Sequence, residues 1–140
     1  MKDTASVAAL DAEHAELTEV LREHADTYER DAAWPERALA AYSACGGWAW
    51  GIPPEFGGNP QSPRRRLEGY VALARGDMSA ALYITQHEGA VDLIVGCENE
   101  TLRSDWLPRY AAGSALTTIG YSQLTTSRQG GKPAMQATRE

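Results

Sequence analysis

The sequence has few of the features that mark several large classes of protein. Lys and Arg number 13 against 19 Asp and Glu, a formal net charge of −6. This balance argues against non-specific nucleic-acid binding, which needs a basic surface. The N-terminus lacks the apolar stretch of a signal peptide, and no run is long and apolar enough to cross a bilayer. The sequence therefore predicts a cytoplasmic protein with no nucleic-acid partner and no membrane span.

Patterns that would indicate a metal site or a disulfide framework are also missing. The two cysteines, Cys45 and Cys97, form no metal-type spacing. Without an export signal, we expect two reduced, buried thiols. His14 and His24 have no third ligand at a suitable spacing, which favours solvated or capping histidines over metal ligands.

Helical periodicity dominates what is present. The 140 residues, 43% of them hydrophobic, suit one ordinary domain. The spacing of apolar residues and the Pro, Ser, Asp and Gly boundaries predict helices over 5–28, 34–45, 63–76, 78–95 and 98–112. Segment 48–63 is too rich in proline and glycine for anything but loop. Pro108 is expected to kink or split the last helix.

Two of these helices carry predictions about burial. The helix over 63–76 is expected to bury a stripe of Leu67, Tyr70, Val71 and Ala74. The helix over 78–95 is apolar nearly all round. A helix of this kind is central and buried on most sides.

The character of the chain changes after Gly113. Residues 115–122 carry β-branched residues in alternation and predict a strand, and 134–138 predict a second short one. A lone strand pair cannot build its own sheet. We therefore predict a mainly α chain, a helical bundle over 1–113 followed by one or two strands of an incomplete, truncated β-domain over 114–140.

Four motifs follow one another along this plan. They are Gly51-Ile52-Pro53-Pro54-Glu55-Phe56-Gly57-Gly58, then Leu73-Ala74-Arg75-Gly76-Asp77-Met78-Ser79, then Glu98 to Pro108 closed by Gly113, then Tyr121-Ser122-Gln123-Leu124-Thr125. In order and spacing they resemble the N-terminal helical domain of the acyl-CoA dehydrogenase superfamily and the beginning of its middle β-domain. The resemblance covers roughly residues 27–140, and the motifs are weak one by one.

The resemblance implies an FAD-dependent, homo-oligomeric oxidoreductase. Such an enzyme removes hydrogens from the α and β carbons of an acyl-CoA thioester and passes electrons to an acceptor that the sequence does not identify. It implies that the flavin, whose polar edge needs hydrogen bonds on reduction, is contacted by Tyr121, Ser122, Leu124 and Thr125. It also implies that the helix over 78–95 lines the acyl pocket through Ala81, Ile84 and Thr85. Ordinary core packing is the alternative for Ala81 and Ile84.

The chain departs from the family pattern in two places. Thr125-Thr126-Ser127 stands where the family has Thr-Glu-Pro, and Gln129 to Lys132 stands where it has Gly-Ser-Asp. Gly130 and Gly131 either let the backbone approach a substrate phosphate, with Arg128 supplying charge, or form a turn between strands. These departures leave room for a flavin-dependent monooxygenase of the same fold.

A catalytic base is not found. Glu55, Glu68 and Glu88 are the carboxylates that could be nominated, and solvated or capping roles are expected for them, because the family base comes from a later part of the fold. His87 is predicted to be a hydrogen-bonded core histidine rather than a proton shuttle. The run 64–66, three arginines, is expected to be a solvated helix start rather than an anion site.

Two explanations of the missing base stay open. In the first, the segment is an inactive N-terminal piece of an enzyme, and its apolar face is left uncovered. In the second, it is a non-catalytic helical module that binds a partner or a second copy through that face.

Overall fold

The computed structural model describes residues 4–120 and residue 138. These residues form the α-helices α1 (Thr4–Asp31), α2 (Glu36–Ala44), α3 (Pro63–Gly76), α4 (Met78–Val95) and α5 (Glu100–Ala111). Two 3-10 helices, Gly47–Ala49 and Pro54–Phe56, lie between α2 and α3. The helical class predicted from the sequence is confirmed.

Side-chain caps fix the beginnings of α3, α4 and α5. Ser62 Oγ accepts the backbone N–H of Arg65 at 3.3 Å. Asp77 Oδ1 accepts the N–H of Ala80 at 2.9 Å, and Asn99 caps α5 in the same way at 3.0 Å. A cap of this kind is worth about 1 kcal/mol. The predicted starts of α3 and α4 are confirmed, and α5 begins two residues later than predicted.

Pro108, expected to kink or split the last helix, does not split α5, which runs through it as one helix. The proline removes one N–H donor, and the buried side chains of Leu107 and Tyr110 hold the turn in place. Segment 48–63, predicted as loop throughout, contains 3-10 turns. Pro54 occupies the first position of one of them, where its fixed φ suits a helix start.

The main core lies where α1, α2, α3 and α4 meet. Leu21, Tyr42, Leu73 and Ile84, one from each helix, are at most 1% exposed. The backbone of α3 approaches α1 closely at its end, because a Cβ at Gly76 would lie 2.5 Å from Leu21 Cβ. A second cluster of Ile52, Val91, Leu107 and Tyr110 joins α4 and α5 to the loop before α3.

The predicted buried stripe of α3 is wrong at Leu67 and Val71, which are 61% and 42% exposed. Gly69, Ala72 and Leu73 are buried instead. The Thr18 hydroxyl of α1 donates a hydrogen bond to the backbone carbonyl of Ala72 at 3.1 Å. Because α1 lies this close to α3, small residues face it and the larger apolar side chains lie at the rim of the contact.

The prediction that α4 is buried on most sides is also wrong. One face of α4 packs in the core, but Met78, Leu82, Tyr83 and Leu93 are between 47% and 70% exposed. No element within the described residues covers this flank of the helix. The result agrees with the expectation of a bare apolar face.

Residues 115–120 follow α5 and form neither a helix nor a paired strand. Their exposure alternates from one residue to the next, as it does in an extended segment that lies against a surface. The remainder of the predicted strands lies outside the described residues, apart from residue 138, so the strands stay a prediction. None of the described helices has the length and apolar character needed to span a membrane.

Candidate functional site

A cavity of about 560 Å³ opens beside α4. Leu82, Tyr83 and His87 of α4 form one wall, Trp34 stands opposite, and residues 116–118 form a third side. The other lining residues are Leu39, Trp48 and Gln86. The volume is within the range of roughly 300–1,000 Å³ that is usual for small-molecule sites.

The cavity has an apolar, exposed rim. Trp34, Leu82, Tyr83 and Leu116 are each about half exposed, between 47% and 58%. The rings of Trp34 and Tyr83 lie 5.4 Å apart. No Lys, Arg, Asp or Glu of the described residues lines the cavity. A cluster of exposed apolar side chains of this kind is typical of a surface that binds a ligand or another protein.

His87 closes the inner wall and is 1% exposed. Its Nδ1 accepts the backbone N–H of Thr117 at 3.1 Å. The imidazole lies edge-on to the rings of Trp48 and Tyr110, at 5.2 and 5.3 Å. Burial lowers the pKa of His87. Since Nδ1 accepts, a neutral ring carries its proton on Nε2, which has no partner among the described residues. The predicted hydrogen-bonded core histidine is confirmed.

Trp48 connects this wall to the end of α5. Gly113, the residue that closes α5, lies against its indole, and a Cβ there would come within 2.8 Å of Nε1. Gly113 also has a φ of +65°, which L side chains rarely adopt. The cavity wall, His87 and the point where the chain leaves the helices are therefore packed together.

Ala81, Ile84 and Thr85, the described residues among those predicted to contact substrate, do not line this cavity. Ala81 and Ile84 are buried in the main core, as the core alternative expects. Thr85 lies on another side of α4, where its hydroxyl donates to the carbonyl of Ala81 at 2.8 Å. Their contact with substrate stays a prediction.

Sequence reasoning missed the α4 residues that do line the cavity, namely Leu82, Tyr83 and Gln86. At about 100° per residue they lie roughly 100°, 200° and 140° around the helix from Ala81, so they occupy the face largely opposite to it. The apolar character of Leu82 and Tyr83 gave no direction, because α4 is apolar nearly all round.

The predicted flavin-contacting residues, Tyr121, Ser122, Leu124 and Thr125, lie outside the described residues, as do Gly130 and Gly131. The described run 4–120 ends immediately before Tyr121 in the sequence.

An ion cluster occupies the opposite side of α4. Glu88 is 2% exposed, and Tyr42 hydroxyl lies 3.0 Å from its Oε1. Arg66 Nη2 donates to Glu88 Oε2 at 3.1 Å and to Asp92 Oδ2 at 2.9 Å. Tyr70 hydroxyl is 3.5 Å from Oε2. Arg66 therefore serves an internal ion pair.

Burial raises the pKa of Glu88, although the hydrogen bond from Tyr42 and the charge of Arg66 oppose the shift. The pKa of Tyr70 is raised to about 12, by burial and by the Glu88 carboxylate. Opposite charge and hydrogen bonds from these groups thus stabilise the Glu88 carboxylate, which is almost fully shielded from solvent.

None of the three nominated carboxylates lines the cavity. Glu55 is exposed on a 3-10 helix, and Glu68 pairs with Arg64 at 2.8 Å on the surface of α3. Glu88 belongs to the ion cluster. Among the described residues, no carboxylate therefore lines the cavity.

The Gly51 loop lies on the ion cluster. A Cβ at Gly51 would stand 3.2 Å from Asp92 Oδ1 and 3.3 Å from both Arg66 Nη2 and Glu88 Oε2. These distances are tighter than most real Cβ contacts. The first glycine of this motif therefore lets the backbone approach a charged cluster, which is a structural role.

The model of the family "Acyl-CoA dehydrogenase, N-terminal domain" matches residues 7–114. The match spans α1 to α5 and so includes every helix described above. The chain belongs to this family. The resemblance is confirmed for the helical domain, and the match extends further toward the N-terminus than the motifs did. It ends at residue 114, so the resemblance of residues 115–140 to the beginning of the middle β-domain stays a prediction.

This acyl-CoA dehydrogenase N-terminal domain is similar to a curated protein, (2S)-methylsuccinyl-CoA dehydrogenase of Cereibacter sphaeroides. The two are 27% identical over 111 residues, which is 79% of this chain and 20% of the relative. The chain thus spans about a fifth of the length of that relative. No solved structure matches this chain.

The cavity of this domain fits part of a flavin or acyl-CoA ligand. Its apolar rim suits an acyl chain or the flat face of a ring system. Both ligands also carry a pyrophosphate, and no arginine or lysine of the described residues lines the cavity. The described residues therefore fit the apolar part of such a ligand and do not fit its phosphates.

Proposed function

We propose that this chain is the helical part of an FAD-dependent oxidoreductase that dehydrogenates an acyl-CoA thioester between its α and β carbons. The observation that carries the proposal is the apolar cavity of about 560 Å³ beside α4, bounded by residues 116–118. In the sequence, this wall comes shortly before Tyr121, the first position where the family resemblance expects a flavin contact. Family membership supports the reaction class.

In this proposal the chain's own residues bind and exclude water. Leu82, Tyr83 and Leu116 surround the acyl chain, and each buried methylene adds about 0.8 kcal/mol. FAD, when bound, supplies the acceptor for the hydride that leaves the β-carbon. Tyr121, Ser122, Leu124 and Thr125 are proposed to contact it.

The α-proton needs a base that the described residues do not offer at the cavity. We therefore propose that the segment is inactive alone and completes a site with further polypeptide. The chain's coverage of a fifth of its relative supports this proposal.

Ligand binding by the chain tests the proposed acyl wall. Acetyl-, butyryl- and octanoyl-CoA are titrated into the chain while tryptophan emission is recorded. We expect affinity to rise with acyl length. Leu82→Asn should weaken octanoyl-CoA roughly fivefold, about 1 kcal/mol, because it removes apolar area from the rim.

The matched control is Leu93→Asn. Leu93 lies on the same helix and is 54% exposed against 58% for Leu82, but it does not line the cavity. We expect this variant to bind as the wild type does. Equal weakening by both substitutions, or affinity independent of acyl length, would contradict the acyl wall.

The reaction itself is tested on the holoenzyme, purified through a tag on this chain from its native host. Anaerobic butyryl-CoA should bleach the visible flavin absorption and yield the enoyl thioester, while acetyl-CoA, which has no β-carbon, should not. If the thioester does not bleach the flavin and an added reductant does, the monooxygenase would replace the dehydrogenase as the proposed activity. A colourless preparation would refute both.

A further inference from the structure

Residues 115–120 are held to the helices by a single hydrogen bond. Among the described residues, the bond from the Thr117 N–H to His87 Nδ1, 3.1 Å long, is the one that joins this segment to the helical body. The other ties are apolar. Ala115 packs against the second core cluster, and Ile119 Cδ1 would stand 3.0 Å from a Cβ at Gly89. Leu116, in contrast, is 47% exposed.

Apolar contacts of this kind do not fix the register of an extended segment by themselves. A slip of one residue would exchange its inward and outward side chains, and a slip of two would restore the pattern at the wrong position. A directional bond to one backbone N–H distinguishes these positions. The Thr117 bond therefore sets the register of residues 115–120 on the surface of α4.

The acceptor is itself held in a fixed orientation. The imidazole of His87 stands between the rings of Trp48 and Tyr110, nearly perpendicular to both, at 84° and 79°. A flip of the ring by 180° would put Cδ2–H where Nδ1 stands and leave the Thr117 N–H without its acceptor. Nδ1 is therefore presented at one place and in one tautomer, with the proton on Nε2.

We propose that His87 is a positioning residue: through Nδ1 it fixes the backbone of Thr117, and so the register of residues 116–118 along the cavity wall. The effect on an acyl ligand in that cavity rests on the proposed function, while the tether between His87 and Thr117 does not. The role requires an acceptor at this point and no proton transfer by the histidine.

Two variants of matched shape isolate the acceptor. Asparagine places its Oδ1 the same number of bonds from Cβ as imidazole Nδ1 and accepts a hydrogen bond. Leucine places a methyl group there and accepts none. Both shorten the side chain alike, so His87→Asn and His87→Leu create similar space beside Trp48 and differ in the acceptor.

The first measurement is made on the chain without flavin. Imidazole nitrogen shifts should show His87 as the Nε2–H tautomer. Amide hydrogen exchange at Thr117 should be about tenfold faster in His87→Leu than in His87→Asn, which corresponds to about 1.4 kcal/mol for one hydrogen bond. Amides of α4 and α5 should exchange equally in the two variants. An Nδ1–H tautomer, or equal exchange at Thr117, would overturn the tether.

The second measurement is the octanoyl-CoA affinity of the chain. Affinity should fall about tenfold in His87→Leu and recover in His87→Asn, because residues 116–118 line the cavity. If the wild type binds no acyl-CoA, the proposed acyl wall fails and the positioning of that wall fails with it, while protection of Thr117 still reports the tether. If octanoyl-CoA binds and both variants bind it equally well, the positioning role alone is overturned. Should His87→Leu not fold, the wild-type tautomer and the exchange of His87→Asn against wild type decide the tether.

Discussion

His87 and Glu88 are neighbours in sequence on α4 and equally buried, yet their surroundings differ. Glu88 lies within 3.5 Å of Tyr42, Tyr70 and Arg66 on the side of the Gly51 loop. His87 has one hydrogen bond and one unpartnered nitrogen on the side of the cavity. The loop side of α4 is completed by this chain's own residues. Among the described residues, nothing completes the cavity side, and its rim is apolar and exposed.

This contrast separates stability from function within one helix. Charges and rings on the loop side hold α2, α3 and α4 together. The cavity side has space, apolar surface and a backbone segment that continues toward the expected flavin contacts. Substitutions on the loop side should therefore change the free energy of unfolding, and substitutions on the cavity side should change binding.

The largest effect is expected when the ion cluster loses its cation. Arg66→Met leaves Glu88 buried without its charge partner and should lower the free energy of unfolding by about 3 kcal/mol, measured by urea denaturation. Arg64→Met is the control, because its ion pair with Glu68 is exposed, and it should change stability by less than about 0.5 kcal/mol. Equal losses would show that the cluster is no stronger than a surface pair.

A smaller loss is expected from crowding on the loop side. In Gly69→Ala the new Cβ would overlap the ring of Trp50 and lie 2.9 Å from its Cη2. Overpacking costs about 1–3 kcal/mol, and the better helix propensity of alanine returns up to about 1, so we expect a net loss of about 1–2 kcal/mol. Gly96→Ala, whose Cβ would have only ordinary contacts of 3.5 Å or more, should be neutral in the same thermal unfolding assay.

The response to pH should have opposite signs at the two neighbours. The pKa of His87 is lowered, so the unfolded chain takes up this proton first, and acidification below 6.5 lowers the free energy of unfolding. The pKa of Glu88 is raised above 4.5, so the folded chain takes up that proton first, and acidification toward 4.5 raises the free energy of unfolding.

Variants that cannot titrate separate the two contributions. Between about pH 7 and pH 5, His87→Asn should lose less stability than the wild type, and Glu88→Gln should lose more. Urea unfolding at a series of pH values measures both slopes. Parallel slopes in all three proteins would show that neither group titrates differently in the folded and unfolded chains.

The smallest effect is expected at the cavity rim. Leu82→Asn should change the free energy of unfolding by less than about 0.5 kcal/mol, because the side chain is already 58% exposed. The same substitution should weaken octanoyl-CoA binding, as described above. A loss of stability of more than about 1 kcal/mol would mean that the rim is part of the core.

The fold was largely predictable because its boundaries are local. Ser62 with Pro63, Asp77, and the glycines after α2, α4 and α5 mark helix ends through capping and backbone geometry, which depend on adjacent residues. The burial of Gly69 in place of Leu67 was not predictable, since it depends on how closely α1 approaches α3. That distance is a property of the packed helices and has no counterpart in the periodicity of either one.

The site was less predictable for a related reason. An all-apolar helix gives no hydrophobic face, so the sequence cannot distinguish the side of Ala81 and Ile84, which packs in the core, from that of Leu82 and Tyr83, which lines the cavity. The tether from His87 to Thr117 crosses 30 positions. A single histidine carries no signal for such a pairing.

The contact of Gly113 with the indole of Trp48 has a practical consequence. The indole borders the cavity on one side and touches the backbone at the end of α5 on the other, so its emission should respond both to an occupant and to tension from the following chain. In a variant that keeps Trp48 as its sole tryptophan, this ring would serve as an intrinsic fluorescence probe. It would let the arrival of a ligand and the docking of further polypeptide be timed separately, without any attached label.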